Sequence, residues 1–234
     1  MPDAGPLPLS DAQVLAAWHT NADPWSVAVR GGLIESRRLV TDRAVLAEVE
    51  RWSPRTALDI GCGEGWLSRA MAQRGIRVTG VDAVPALVEA ARHADAAGDY
   101  RVMTYEALAG GAMDGPPGVA FDLAVANFSL IGGDAVEALI RHIPALLVPH
   151  GALIVQTLHP ATARGEHPYM DAWREGSWAG FSADFRDPPP WYYRTMGSWI
   201  RLLVHSGFQV QDVIEPLHPA TGSPASVLFV VARA

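Results

Sequence analysis

The sequence predicts an α/β protein built on a doubly wound, mostly parallel seven-stranded sheet whose last strand runs antiparallel. A helical addition precedes the sheet (1–40), and an insertion follows its fifth strand (159–194) inside the main domain (41–234). Three observations predict this. Short apolar runs alternate with helix-period segments five times, the pattern of parallel strands joined by right-handed crossovers. The first run, 57–60, ends in glycines at alternate positions, Gly61, Gly63 and Gly65, directly before a helical pattern that opens at Trp66 and Leu67. The last two runs, 207–214 and 226–232, are joined by a short Pro- and Gly-containing connection where a crossover helix would be needed for parallel pairing.

Taking the elements in order, the start of the chain (1–9) has no basic region or long apolar core and reads as a loose leader, which makes the cytoplasm the expected location. Residues 11–35 are helical or turn-rich, punctuated by Leu15, Trp18, Trp25, Val27 and Val29. A second helix follows Arg37 and Arg38, with Asp42 suited to cap it. The glycine turn then requires backbone with positive φ or close approach to a ligand, and the helix after it offers unpaired N–H groups. It reads as a ligand cradle. A second strand over 76–81 ends in Asp82, and Pro85 opens the next helix. Asp82 lies seventeen residues beyond Gly65, near the distance at which an acid meets ribose hydroxyls in nucleotide-binding βαβ units; the plain alternative is a helix cap.

A third strand is expected over 101–105 and an irregular loop over 110–118, with Pro116 and Pro117. The strand 121–127 delivers Asn127, Phe128 and Ser129 to the sheet edge where open α/β sheets bind ligands. A helix from Asp134 leads to a turn at Pro149-His150-Gly151 and a fifth strand over 152–158; a late helix covers 195–206.

Composition narrows the chemistry. The chain of 234 residues suits one large domain and is too short for a nucleotide domain plus a separate substrate domain. All 18 basic Lys/Arg positions are arginine, which removes Schiff-base lysines and the P-loop lysine. The single Cys62 excludes an intrachain disulfide and a multi-cysteine zinc site, and the eight histidines give no i, i+4 pair, so no metal is expected. A net charge of -7 argues against nucleic acid as partner, and no apolar run reaches membrane-spanning length. The expected partner is a small molecule; oligomeric state is not legible.

The glycine spacing selects among nucleotide ligands. A dinucleotide fingerprint places its third glycine where Trp66 stands, and Asp59, two residues before Gly61, would repel a pyrophosphate yet could accept from a cationic amino group. The pattern Asp59-x-Gly61-x-Gly63-x-Gly65 resembles the first motif of class I S-adenosylmethionine-dependent methyltransferases. With Asp82, and with a parallel sheet closed by one reversed strand over about residues 40–234, the chain is similar to that family's Rossmann-like fold. The resemblance implies S-adenosylmethionine as cofactor and methyl transfer to an oxygen or nitrogen of a small acceptor. It also implies an arginine ahead of the domain that pairs with the cofactor carboxylate, here Arg37 with Arg38 as rival. An acid and a small residue beside the adenine would be Glu106 and Ala107; an exposed loop acid is the plain alternative for Glu106. A nicotinamide-dependent oxidoreductase and a non-catalytic cofactor-binding protein remain the alternatives.

The insertion carries Trp173, Trp178, Phe181, Phe185, Trp191, Tyr192 and Tyr193 without a period of two or 3.6, and reads as a lid over the site. Trp18 and Trp25, with Trp191, Tyr192 and Tyr193, are the expected walls of the substrate space. Asp187-Pro-Pro-Pro-Trp191 resembles the Asp/Asn-Pro-Pro-aromatic signature of nucleic-acid amino-methyltransferases, but it has one proline too many and falls after the fifth strand, so it reads as a stiff loop. Where the acceptor carries a proton, His159 directly after the fifth strand is the expected base and His218 its competitor; a histidine that only hydrogen-bonds a loop is the plain alternative.

Overall fold

The computed structural model describes residues 8–113 and 120–234. The expected leader, apart from its last two residues, and the Pro116-Pro117 loop lie outside the described residues. Strands β1 (Thr56–Ile60), β2 (Arg77–Asp82), β3 (Asp99–Val102), β4 (Phe121–Asn127), β5 (Leu147–Thr157), β8 (Phe208–Ile214) and β9 (Val227–Arg233) make one sheet, while β6 (Ala172–Arg174) and β7 (Trp191–Tyr193) form a separate two-stranded ribbon. The order in the large sheet is β3-β2-β1-β4-β5-β9-β8. Strands β3 through β5 pair in parallel, and β9 is antiparallel to both β5 and β8. The order reverses at β1 and β4, whose carboxyl ends therefore flank the crevice in which such sheets bind ligands.

Period-two alternation splits the core into two layers. Leu58, Ile60, Ala124, Ala126, Leu153, Val155 and Phe229 pack with α7 (Asp134–Leu146) and α9 (Met196–His205) on one face. Ala57, Leu123, Val125, Ile154 and Val230 pack with α3 (Asp42–Trp52) and α4 (Trp66–Ala72) on the other. Strands buried on both faces read as continuous apolar runs, which is why β4 and β9 are legible in the sequence.

Three expectations change. The third strand ends at Val102, because Thr104 caps a short helix α6 (Tyr105–Ala109) by accepting from Ala107 N. The fifth strand starts at Leu147: Pro149-His150-Gly151 is a bulge inside β5, where the register with β4 shifts and His150 takes φ 61°. Asp42 caps nothing, since the helical run begins at residue 35 and passes through a π-helical stretch, Arg37–Thr41, into α3. That run continues through residues 40 and 41, and a turn at Gly31 and Gly32 separates it from α2 (Ala22–Arg30).

The N-terminal helices sit over the sheet edge through specific polar contacts. On α1 (Asp11–Thr20), Asp11 accepts from Gly133 N at 2.7 Å and Ala135 N at 3.1 Å, capping α7 from across the molecule. The buried Asn21 donates to Arg186 O at 2.6 Å and accepts from Arg186 N at 2.9 Å, tying the insertion down. Trp18, Trp25, Trp178, Phe181 and Phe185 then form one aromatic cluster across that seam. No helix among the described residues is long and apolar enough to cross a membrane.

Candidate active site

The glycine turn joins β1 to α4 and lies at the sheet's reversal point. Gly61 takes φ +70°, and a Cβ there would stand 2.3 Å from Ser129 Cβ, so the turn approaches the end of β4 as only glycine can. Gly63, at φ +57°, faces Trp25 instead, with the indole Nε1 3.7 Å from such a Cβ. Gly65 has φ +83° and precedes α4. Asp82 at the end of β2 accepts from Gly63 N and from Val84 N, both at 2.9 Å. Burial pushes its carboxyl up, opposed by those two N–H groups and by the charge of His19. Asp82 therefore already shapes the turn, and it begins no helix cap, because α5 (Pro85–Ala94) starts after Val84.

Asp59 is 1% exposed and accepts from Ser68 Oγ at 2.6 Å under α4. Burial, reinforced by the charge of Asp82, pushes its carboxyl up to about 7, with the Ser68 hydroxyl pulling the other way. Glu64, unremarked in the sequence, is the residue that clamps the turn. It is 1% exposed, and its Oε2 accepts from Arg30 Nε at 2.9 Å and from an Arg69 nitrogen at 2.8 Å. Its Oε1 is buried with no protein partner. An acid between two glycines of a ligand turn was the available signal.

At the ends of β4 and β5, Phe128 takes the left-handed φ 54° uncommon for a bulky residue, and its N–H bonds Gln156 O at 2.8 Å. Ser129 donates to Ile60 O at 2.6 Å, closing the far side of the turn. Asn127 Oδ1 and Gln156 Oε1 are buried without a protein partner on neighbouring, in-register positions. Glu106 and Ala107 stand exposed on α6. Arg37 lies over the Trp66 ring at 4.6 Å, next to the turn, with its Nε donated to Asp42 at 3.0 Å. Arg38 is exposed.

The two histidines part ways. His159 is 6% exposed and engaged at both ring nitrogens: Nδ1 accepts from Ala161 N at 3.2 Å as the cap of α8 (Pro160–Ala163), so the proton sits on Nε2, which donates to Glu215 Oε1 at 2.5 Å. As folded, it has no free nitrogen for an acceptor's proton. His218 lies in the turn after β8, accepts from Ala220 N at 3.3 Å through Nδ1, and lines a cavity shared with α2 and the insertion. Among the expected walls, Tyr193 is instead core: it is 1% exposed, its hydroxyl donates to Pro160 O at 2.8 Å, and Arg174 lies 3.4 Å above its ring. Tyr192 joins the loop after β4 through its N–H to Ile131 O at 2.7 Å, and Trp191 packs edge-on against Tyr193. Trp18 and Trp25 pack on Val84 and Leu87, and Trp25 also stands over Gly63 of the glycine turn.

A reversed-order parallel sheet with a glycine turn and an acid after β2 defines a nucleotide-type site at the carboxyl edge. Residues 35–213 match the methyltransferase domain family, well over half of the chain, and the chain belongs to that family. The ubiquinone biosynthesis O-methyltransferase of Methylocella silvestris is 37% identical over 119 residues, covering 47% of this chain and 44% of that protein; the match thus spans less than half of the relative's length. Among solved structures, the Burkholderia thailandensis 1,6-didemethyltoxoflavin-N1-methyltransferase, with 1,6-didemethyltoxoflavin and S-adenosylhomocysteine bound, superposes with a TM-score of 0.66 at 19% identity over 100% of this chain and 98% of that one. The cyclase SpnF superposes at 0.67 and 17% identity, covering 97% of each chain. Likenesses at that identity establish the shared fold, and the cyclase among them means the fold alone leaves the chemistry open.

Proposed function

We propose that the protein binds S-adenosylmethionine at the glycine turn and transfers its methyl group to an oxygen or nitrogen of a small molecule, in the cytoplasm. The observation that carries this reading is the placement of Asp82, 2.9 Å from Gly63 N, on a turn that three positive-φ glycines hold open beneath Trp25. Asp82 offers a carboxylate to ribose hydroxyls, and Gly63 leaves room for a ligand where a side chain would intrude. Glu64 in the turn and Asn127 at the end of β4 each keep a buried oxygen without a protein partner, which suits the donors of an amino-acid ammonium or an adenine amine. Arg37 beside Trp66 is the group for a carboxylate, with Glu106 and Ala107 at the adenine edge. The cofactor supplies a methyl group already activated on a sulfonium. The protein's tasks are then alignment and exclusion of water, which the aromatic roof serves. Family membership and the O- and N-methyltransferases among its relatives support the same reading. The single buried cysteine accords with a reducing compartment, and the net charge of -7 with a partner other than nucleic acid.

Calorimetry tests it. S-adenosylhomocysteine is expected to bind and a nicotinamide dinucleotide to give no heat; the reverse result rejects the reading. Asp82→Ala is expected to weaken binding by about ten-fold or more, given about 1.5–3 kcal/mol per hydrogen bond to a charged group. Melting of the free variant separates a lost contact from a lost turn. Where the acceptor carries a proton, we assign the base to Nδ1 of His218, which must first release its long 3.3 Å bond from Ala220 N, and a positioning role to His159. His218→Ala is expected to lower turnover about 10²-fold with S-adenosylhomocysteine affinity unchanged. Equal turnover would reject His218.

A further inference from the structure

A cavity of about 820 Å³ lies between α2, residues 33–36 and the loop 179–185 of the insertion, with His218 at its edge. Its volume falls in the range of small-molecule sites. Both of its chain walls are one helical turn from residues that touch the glycine turn. On α2, Val27 and Ala28 line the cavity, while Trp25 stands over Gly63 and Arg30 holds Glu64. On the next segment, Ile34 and Glu35 line it, while Arg37 lies against Trp66. Phe181 belongs to the cavity and stacks on Trp25 with ring centroids 6.4 Å apart, and Trp25 stands over Gly63, so one ring pair reaches from the cavity to the cradle.

The chemistry of the lining is one-sided. Phe181 and Phe185 form an aromatic floor with centroids 5.0 Å apart, and Val27 and Leu33, 65% and 67% exposed, make an apolar mouth. Around these stand three carboxylates, Asp23, Glu35 and Asp184, and no arginine, in a chain with 18 of them. Among the described residues none of the three makes an ion pair; Asp184 accepts only from Ser182 Oγ at 3.1 Å. Rings beside unneutralised acids attract a cation and repel an anion.

We propose that this cavity is the acceptor site, and that the acceptor is an amine carried on an apolar, ring-sized body. The inference rests on the methyl-transfer reading and narrows it from oxygen or nitrogen to nitrogen. An ammonium has no lone pair to receive a methyl group, so its proton must leave first, and Nδ1 of His218 in the lining takes it on releasing its 3.3 Å bond from Ala220 N.

The test uses the full chain with and without S-adenosylhomocysteine and three probes of one skeleton: benzyltrimethylammonium, benzyl alcohol and 3-phenylpropionate. Calorimetry is expected to show the cation binding about ten-fold or more tighter than the other two. Glu35→Gln combined with Asp184→Asn is expected to erase that preference while S-adenosylhomocysteine affinity and melting temperature stay unchanged. Equal binding of the three probes, or an undiminished preference in the double variant, would overturn the proposal. Failure of S-adenosylhomocysteine to bind, with the cation preference intact, would instead overturn the methyl-transfer reading and with it the cavity's role as acceptor site.

Discussion

Asp59 shows how far a single position can be read. Its place two residues before Gly61 marks it as part of the motif, but its burial under Ser68 depends on how α4 returns over β1, which local sequence does not state. The burial has a measurable consequence. With a carboxyl raised from 3.8 to about 7, the folded protein holds a proton across that window that the unfolded chain has released. Stability from this group is therefore full below the unfolded value, falls as pH rises, and levels off above the folded value, by up to about 1.4 kcal/mol per unit. Asp59→Asn keeps an acceptor for Ser68 and removes the titration. Urea melts of the free protein from about pH 5 to about pH 8 are expected to show the variant gaining on the wild type up to about pH 7 and holding that lead above it. A pH-independent difference would reject this account. Glu64 and His159 make the same point in opposite directions: the first is tied to Arg30 and Arg69, and the second is spent on Ala161 N and Glu215.

At the scale of elements, strands and helices with a strong period were legible, and the insertion was legible only as aromatic and aperiodic. Its rings have no single period because Trp178 and Phe181 pack on Trp18 and Trp25 of another element, while Trp173 pairs with Tyr192 across the β6–β7 ribbon. Beside the Tyr192 N–H bond to Ile131 O, a polar latch holds the insertion at the other side: Asn21 bonds both backbone groups of Arg186. Asn21→Ala leaves Arg186 N without its partner, while Arg186 O keeps the Trp178 indole N–H at 3.0 Å, and we expect a loss of about 1–3 kcal/mol. Hydrogen exchange should speed up over 177–187 while β4 and β5 keep their protection. Uniform acceleration across the sheet would mean that the insertion is not a separate unit. For the cover role, protection across 159–194 is expected to rise when S-adenosylhomocysteine and the amine probe are both present, and equal protection in the free protein counts against it.

Over the whole molecule, the N-terminal helices join three regions that lie far apart in sequence: Asp11 caps α7, Asn21 holds the insertion and Arg30 reaches Glu64 in the glycine turn. Helix α2 thus touches both the cradle and the cavity beside it. The two ligands are expected to bind with positive coupling of about five-fold or more, equal in either order by linkage. Arg30→Ala is expected to reduce the coupling, because Glu64 keeps only Arg69. Independent binding in the wild type would show that α2 does not connect the sites. The sequence by itself determined the doubly wound sheet, its reversed last strand, the glycine turn and Asp82, because these rest on periodicity and on backbone conformations that few residues can adopt. Only the tertiary structure decided that β9 lies between β5 and β8, that His159 is engaged while His218 borders a cavity, and that Tyr193 is core. Those outcomes depend on contacts between residues tens to hundreds of positions apart, where burial and partner choice are properties of the packed whole and of no single stretch.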